Sequence, residues 1–190
     1  CYYFIFSGIV FLIKRSPNSL LYFLISMVFV QSLYFFEIKT ANKKEAFIVF
    51  HKSRFSLIGI REGLDMKLQH DLDALKSKEI KAIKSYRIAE HIKNIENVDF
   101  KNYINFKAQD ILLIDSLGVY QLDKLKNPIV VLQYSPKINV ERLIQTLNPS
   151  LIIADGSNYK SVVNNCEITC LEKAIPFHYT GNKGAFILRE

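Results

Sequence analysis

Tryptophan is absent from this 190-residue chain, cysteine occurs three times and glycine seven times. Each shortage excludes something. An odd number of cysteines does not make a paired disulfide framework. Cys1 lies in an apolar block, and Cys166 and Cys170 stand four apart in what reads as one helix, where two thiols without further ligands make a poor metal site and read as small buried hydrophobes. No G-x-G-x-x-G and no Walker pattern occurs. Nor does the chain have the low apolar content of a disordered protein, since 49% of it is hydrophobic, with 14 Phe and 10 Tyr.

Charge is scarcest in residues 1–36, which hold Lys14 and Arg15 alone, whereas residues 37–190 carry the other 23 basic and all 18 acidic side chains. The split predicts two domains: a transmembrane helical hairpin over 1–36 and a soluble α/β domain over 37–190. Leu20 to Phe36 is long enough to cross most of a hydrocarbon core of about 30 Å. Its strongly polar residue is Gln31, which a neighbouring helix would satisfy, and Tyr22 and Tyr34 lie near its ends, where amphipathic rings favour the interface. Cys1 to Ile13 is too short to span alone, and Pro17 suits a tight turn between the two stretches.

A first residue of Cys reads as a fragment of a longer membrane protein. A lipoprotein would start with a polar tether rather than the apolar Tyr2 to Ile13, and a signal peptide would show a basic region first and a small-residue cleavage pattern after Phe36. The Lys14–Arg15 loop favours a cytoplasmic loop and an extracytoplasmic soluble domain, against the pull of Lys39, Lys43 and Lys44.

Beyond Ala46 the pattern turns to strands. Ala46 to His51, Arg54 to Ile60 and, after a Glu62–Gly63 turn, Leu64 to Gln69 predict an antiparallel meander. Ile80, Ile83, Ile88 and Ile92 predict a helix within 74–96. Ile111 to Ile114, Ile129 to Leu132 and Leu151 to Ala154 are continuous apolar runs of the kind buried on both faces of a sheet. Asn139 should cap a helix over Val140 to Leu147 that ends at Pro149, and Ser157 or Asn158 one reaching Lys173. Phe177 to Thr180 and Ala185 to Leu188, around Gly181–Gly184, read as a hairpin. Alternating strands and helices give an α/β (α+β layered) domain.

Chemistry is sparse. His51, His70, His91 and His178 are scattered without an H-x-H or H-E-x-x-H pair, Asp71 and Asp73 fall in a turn, and Asp110 and Asp115 bracket a strand, so no metal set is visible. Neither a metal nor a cofactor is expected. The most distinctive string is Ile152-Ile153-Ala154-Asp155-Gly156-Ser157-Asn158-Tyr159-Lys160, a strand turning into a helix amino-terminus, where an anion could sit. Ser157, Asn158, Tyr159, Lys160 and Lys183 are the candidate DNA- or anion-binding residues; the plainer reading is that Asp155 and Gly156 turn the chain and Ser157 caps.

That string, followed by Ile175-Pro176-Phe177-His178-Tyr179-Thr180-Gly181-Asn182-Lys183-Gly184-Ala185-Phe186-Ile187-Leu188, resembles the carboxy-terminal end of ComEC family competence proteins, inner-membrane DNA-uptake channels. The resemblance covers residues 1–190 in organisation and about 110–190 in motifs. It implies a metallo-β-lactamase-like tail whose metal site is degenerate. Where that hydrolase pattern has His-His-Gly-Ser after a strand, this chain has Gln133-Tyr134-Ser135-Pro136; Asp115 follows Ile114 without the expected Gly; and His-x-His-x-Asp-His is nowhere. The resemblance thus implies a multi-pass cell-membrane protein without metal-dependent hydrolase activity, whose partners are single-stranded DNA, the membrane, other DNA-uptake proteins and a second copy of itself. A modest basic excess, with Lys160, Lys173, Lys183 and Arg189 and the rings of Tyr159, Phe177 and Tyr179 near the matched end, is compatible with strand contacts. A hydrolase with a cryptic metal site and a purely structural, channel-stabilising tail are the alternatives.

Overall fold

A computed structural model describes residues 2–14, 16–70, 80–99, 102–120, 125 and 127–189. They form two compact units, Cys1–Lys43 and Lys44–Glu190.

In the first unit, α1 (Tyr2–Lys14) and α2 (Pro17–Ala41) are joined through Ser16, whose hydroxyl accepts from the Ser19 N–H while the Ser19 side chain reciprocates, with Pro17 in the first turn. This capping box satisfies two otherwise orphaned donors. The Ser7 and Ser26 hydroxyls meet at 2.8 Å, and the Phe23 ring stacks on Phe4 and Phe11. Small residues let the helices approach: a Cβ on Gly8 would stand 3.3 Å from the Phe23 ring. Helix α2 continues past Phe36 to Ala41, and it alone among the described helices is long and apolar enough to cross a membrane. Gln31 is exposed.

The second unit is a mixed α/β fold with two five-stranded sheets. The expected meander is present as β1 (Glu45–Val49), β2 (Leu57–Glu62) and β3 (Asp65–His70), all antiparallel. Helix α3 (Lys81–Ala89) follows, then β4 (Asn94–Asn97), parallel to β3. The helix predicted within 74–96 is therefore present as α3 and ends at Ala89. His91 takes a left-handed φ of 57° and the Ile92 N–H returns to the Arg87 carbonyl, which closes the helix and releases Asn94 to a strand. The start of that prediction, and the Asp71–Asp73 turn, lie outside the described residues.

The second sheet holds β5 (Tyr103–Phe106), β6 (Gln109–Ile114), β7 (Ile129–Leu132), β8 (Leu151–Ala154) and β9 (Phe177–Tyr179). β5 and β6 form a hairpin; the others are parallel. Between β7 and β8 runs α4 (Val140–Leu147), where the Arg142 N–H bonds to the Asn139 side chain at 2.9 Å and Asn148, at φ 43°, ends the helix just ahead of Pro149. Between β8 and β9 runs α5 (Lys160–Glu172).

The predicted final hairpin does not form. β9 joins the second sheet beside β8, a one-turn helix α6 (Thr180–Lys183) follows, and β10 (Phe186–Arg189) pairs antiparallel with β1 in the first sheet. The Gly181–Gly184 segment carries the chain from one sheet to the other.

Alternating side chains build a four-layer sandwich. Phe47, Val49 and Ile58 from the first sheet meet Ile111, Leu113, Val131 and Ile153 from the second in a central core. The outward residues of the first sheet, among them Ile48, Phe50 and Leu68, pack on Ile83 and Tyr86 of α3. Those of the second, Leu112, Val130, Leu132 and Ile152, pack on Leu143 and Leu147 of α4 and Cys166 and Cys170 of α5. This explains the continuous apolar runs: both faces of β6 to β8 are buried.

Candidate functional site

Parallel strands β7, β8 and β9 end on the same side of their sheet, where open α/β sheets place their ligands. There the segments 133–136, 155–160 and 179–182 face the β1–β2 connection, residues 50–56, across a cleft of about 830 Å³.

The cleft rests on a tightly bonded floor. Asp155 is fully buried, and its Oδ1 accepts from the Ser157 N–H, the Ser157 hydroxyl and, at 3.0 Å, the Asn158 side-chain amide. That amide also donates to the Leu132 carbonyl at 2.6 Å. In return, Ser157 Oγ and Asn158 Oδ1 accept the main-chain N–H groups of Tyr134 and Ser135 at 2.8 and 2.9 Å, and the Tyr159 N–H donates to Ser135 Oγ at 2.7 Å. These bonds hold Tyr134 and Ser135 at φ 54° each, a left-handed conformation that non-glycine residues adopt only where surroundings impose it. Across the cleft the Arg54 N–H donates to the Gly156 carbonyl at 2.8 Å, and His51 Nδ1 lies 3.2 Å from the Thr180 hydroxyl.

Ser157, Asn158, Tyr159 and Lys160 all line the cleft, but in two roles. Ser157 and Asn158 are spent on the floor. Neither caps α5, whose cap position is Tyr159 without a side-chain bond, because both side chains are drawn to Asp155 and the end of β7. Tyr159, 74% exposed, and Lys160 face solvent. Lys183 is not in the lining; its ammonium donates to the Phe177 carbonyl at 2.7 Å. Lys173 and Arg189 are engaged by Glu141 and Glu90.

The structure adds Arg54, Tyr134 and Asn182 to the lining, together with Tyr179, one of the rings that the sequence offers for stacking. Tyr134 sits in the Gln-Tyr-Ser-Pro string that follows a buried strand, a usable signal. Arg54 comes from the other sheet, and nothing local in the sequence marks it.

Among the described residues the lining holds two cations, Arg54 and Lys160, one imidazole, His51, and no carboxylate, with Asp155 buried beneath it. Among the described residues no group of three or more His, Cys, Asp or Glu is placed to hold a metal ion. His70 meets Asn97, the His178 ring donates to the Gly184 carbonyl, Asp110 accepts from Tyr103 and Asn105, and Asp115 accepts from the Leu117 N–H. The donor set therefore does not fit a metal centre. Cys166 and Cys170 lie in the core, where burial pushes their thiols up to about 11 and about 12, with the neighbouring Cys166 and Glu167 adding to the latter.

A family model described as the ComEC C-terminal domain matches residues 47–190. No curated protein and no solved structure matches the chain.

Proposed function

Because this chain belongs to the ComEC C-terminal domain family, we propose that it serves competence DNA uptake as the closing part of an inner-membrane channel for single-stranded DNA. The observation that carries the reading is the family match over residues 47–190, almost the whole of the second unit.

Several features support it. Helix α2, with 25 residues, is about 38 Å long against a hydrocarbon core of about 30 Å. Within this reading helix α1, which packs on α2 through the Ser7–Ser26 hydrogen bond, is its membrane partner in a multi-pass protein. The α/β/β/α layering of the tail is compatible with a metallo-β-lactamase-like ancestry, and within this reading the tail binds the strand without hydrolysing it. Within this reading Ser157 and Asn158 shape the binding surface, Tyr159 and Lys160 contact the strand, and Lys183 braces β9. The tail lies outside the cytoplasm, where it meets incoming DNA, other uptake proteins and a second copy of the channel.

The test uses the full chain in lipid nanodiscs. A fluorescent single-stranded oligonucleotide should bind with an affinity that falls linearly in log[salt] and should remain uncut in the presence of zinc or manganese. Stoichiometric metal with strand cleavage would make the tail a hydrolase instead, and absence of salt-sensitive binding would leave it a structural element.

A further inference from the structure

Resting on that uptake reading, we propose that the cleft at the ends of β7, β8 and β9 is a nucleotide site, with the phosphate held between Arg54 and Lys160 and the base stacked on Tyr159. The argument begins with charge. Lys44, Arg61, Lys67, Lys107, Lys173 and Arg189 all have a carboxylate within reach. Arg54 and Lys160, like Lys52, Lys84 and Lys93, have no ion pair among the described residues, and these two share one concave surface with no carboxylate among its described lining residues. Two cations against the single buried carboxylate of Asp155 beneath the floor leave a net positive local potential that favours an anion.

The position of Arg54 is imposed rather than incidental. Its backbone is left-handed at φ 69°, and its N–H is tied to the Gly156 carbonyl at 2.8 Å. The close approach exists because residue 156 has no Cβ, which would lie 2.4 Å from the Lys52 carbonyl oxygen. A strained residue is thereby held over the turn that leads into Lys160. Guanidinium and ammonium groups supply several donors to phosphate oxygens, the guanidinium in a bidentate fork.

The remaining lining matches the rest of a nucleotide. The Tyr159 ring is 74% exposed beside Lys160, an arrangement in which a base can stack irrespective of its identity. Asn182 brings an amide with both donor and acceptor capacity. A volume of about 830 Å³ falls in the range of small-ligand pockets and suits a single unstacked unit rather than a duplex.

A nucleotide phosphate reaches such a site either as a free mononucleotide or within a strand, and the experiment separates the two. The full chain in nanodiscs is titrated with labelled oligo(dT), with dTMP and inorganic phosphate as competitors, for the wild type, R54Q, K160Q and, as a distant control on α3, K84Q. The expectation is that R54Q and K160Q each weaken oligo(dT) and dTMP about tenfold, the loss of one charge-assisted contact. Each should also reduce the salt slope by about 0.7, with K84Q unchanged. Y159A should weaken dTMP while leaving phosphate competition as it was. If dTMP binds and responds to both substitutions while oligo(dT) does not bind, the nucleotide site stands and the strand-uptake reading falls. If oligo(dT) binds and ignores both substitutions, the nucleotide site is overturned and the uptake reading stands. If neither ligand binds, both are overturned.

Discussion

The side-chain amide of Gln133, at the end of β7, donates to the Ser56 hydroxyl at 2.6 Å, linking the two sheets at the rim of the cleft. Both residues are buried, and the Ser56 N–H extends the link by donating to the Tyr134 hydroxyl at 3.3 Å. Gln133 opens the Gln-Tyr-Ser-Pro string that follows β7, and its amide staples the sandwich. Q133A should destabilise the protein by about 1–3 kcal/mol, because a buried hydroxyl loses its donor. A thermal melt in detergent should drop by several degrees, and S56A combined with Q133A should cost less than the two single losses added together.

Gly156 and Gly181 make contrasting predictions. A Cβ at Gly156 meets main-chain atoms of Lys52, whereas one at Gly181 meets the outer ring atoms of Tyr179, also at 2.4 Å. A backbone has to move as a unit and a ring can swing, so G156A should lose about 1–3 kcal/mol and G181A less. Because G156A pushes back the loop that carries Arg54, it should also weaken oligonucleotide binding, measured by anisotropy.

Glu90 is the electrostatic knot of the first sheet. Its carboxylate receives the guanidinium of Arg61, which is 1% exposed, together with Lys44 at 3.4 Å and Arg189 at 3.1 Å. Burial alone would push this carboxyl up, but the hydrogen bond and charge of Arg61, helped by Lys44, hold it below its ordinary value of 4.5. A depressed carboxyl contributes stability that is complete above pH 4.5 and is lost as pH falls through the lower folded value. E90Q should cost about 3 kcal/mol at neutral pH, since Arg61 stays buried without a counter-charge. Unfolding curves of E90Q should lack that acid-dependent part.

Cys166 and Cys170 should resist alkylation. With thiols at about 11 and about 12, the thiolate fraction at pH 8 is very small. Mass spectrometry of peptides after iodoacetamide treatment should find both unlabelled in the folded protein and labelled in urea. The sign for stability is opposite to that of Glu90. A raised thiol contributes fully below its unfolded value near 9.0, and the contribution is lost as pH rises toward 11 and 12.

Much of the local structure was legible from side-chain pattern. Ile129 to Leu132 and Leu151 to Ala154 are strands with the predicted bounds, and Asn139 caps Val140–Leu147, because runs of β-branched residues and a short amide before an amphipathic segment act through neighbours in sequence. The β5–β6 hairpin was not legible. Its two-residue turn is Lys107–Ala108, with φ of 49° and 64°, and lacks the Asn-Gly chemistry that usually announces such a turn. The hairpin predicted around Gly181–Gly184 failed for the converse reason. Its turn residues are genuine, but the flanking strands find better partners in β8 and β1, far away in the chain.

The site divides along the same line. Sequence alone determined the family, the near-absence of charge before residue 37 and the string from Asp155 to Lys160, since each depends on residue identity and short spacing. Tertiary structure decided which of those side chains are free: Ser157 and Asn158 are consumed by a buried carboxylate and the end of β7, while Tyr159 and Lys160 are left to the cleft. It alone brought Arg54 from the opposite sheet to Gly156. The reason is physical: a hydrogen bond or a shared cleft between residues about a hundred positions apart leaves no periodicity in the chain, and arises only when two sheets bury their apolar faces against each other.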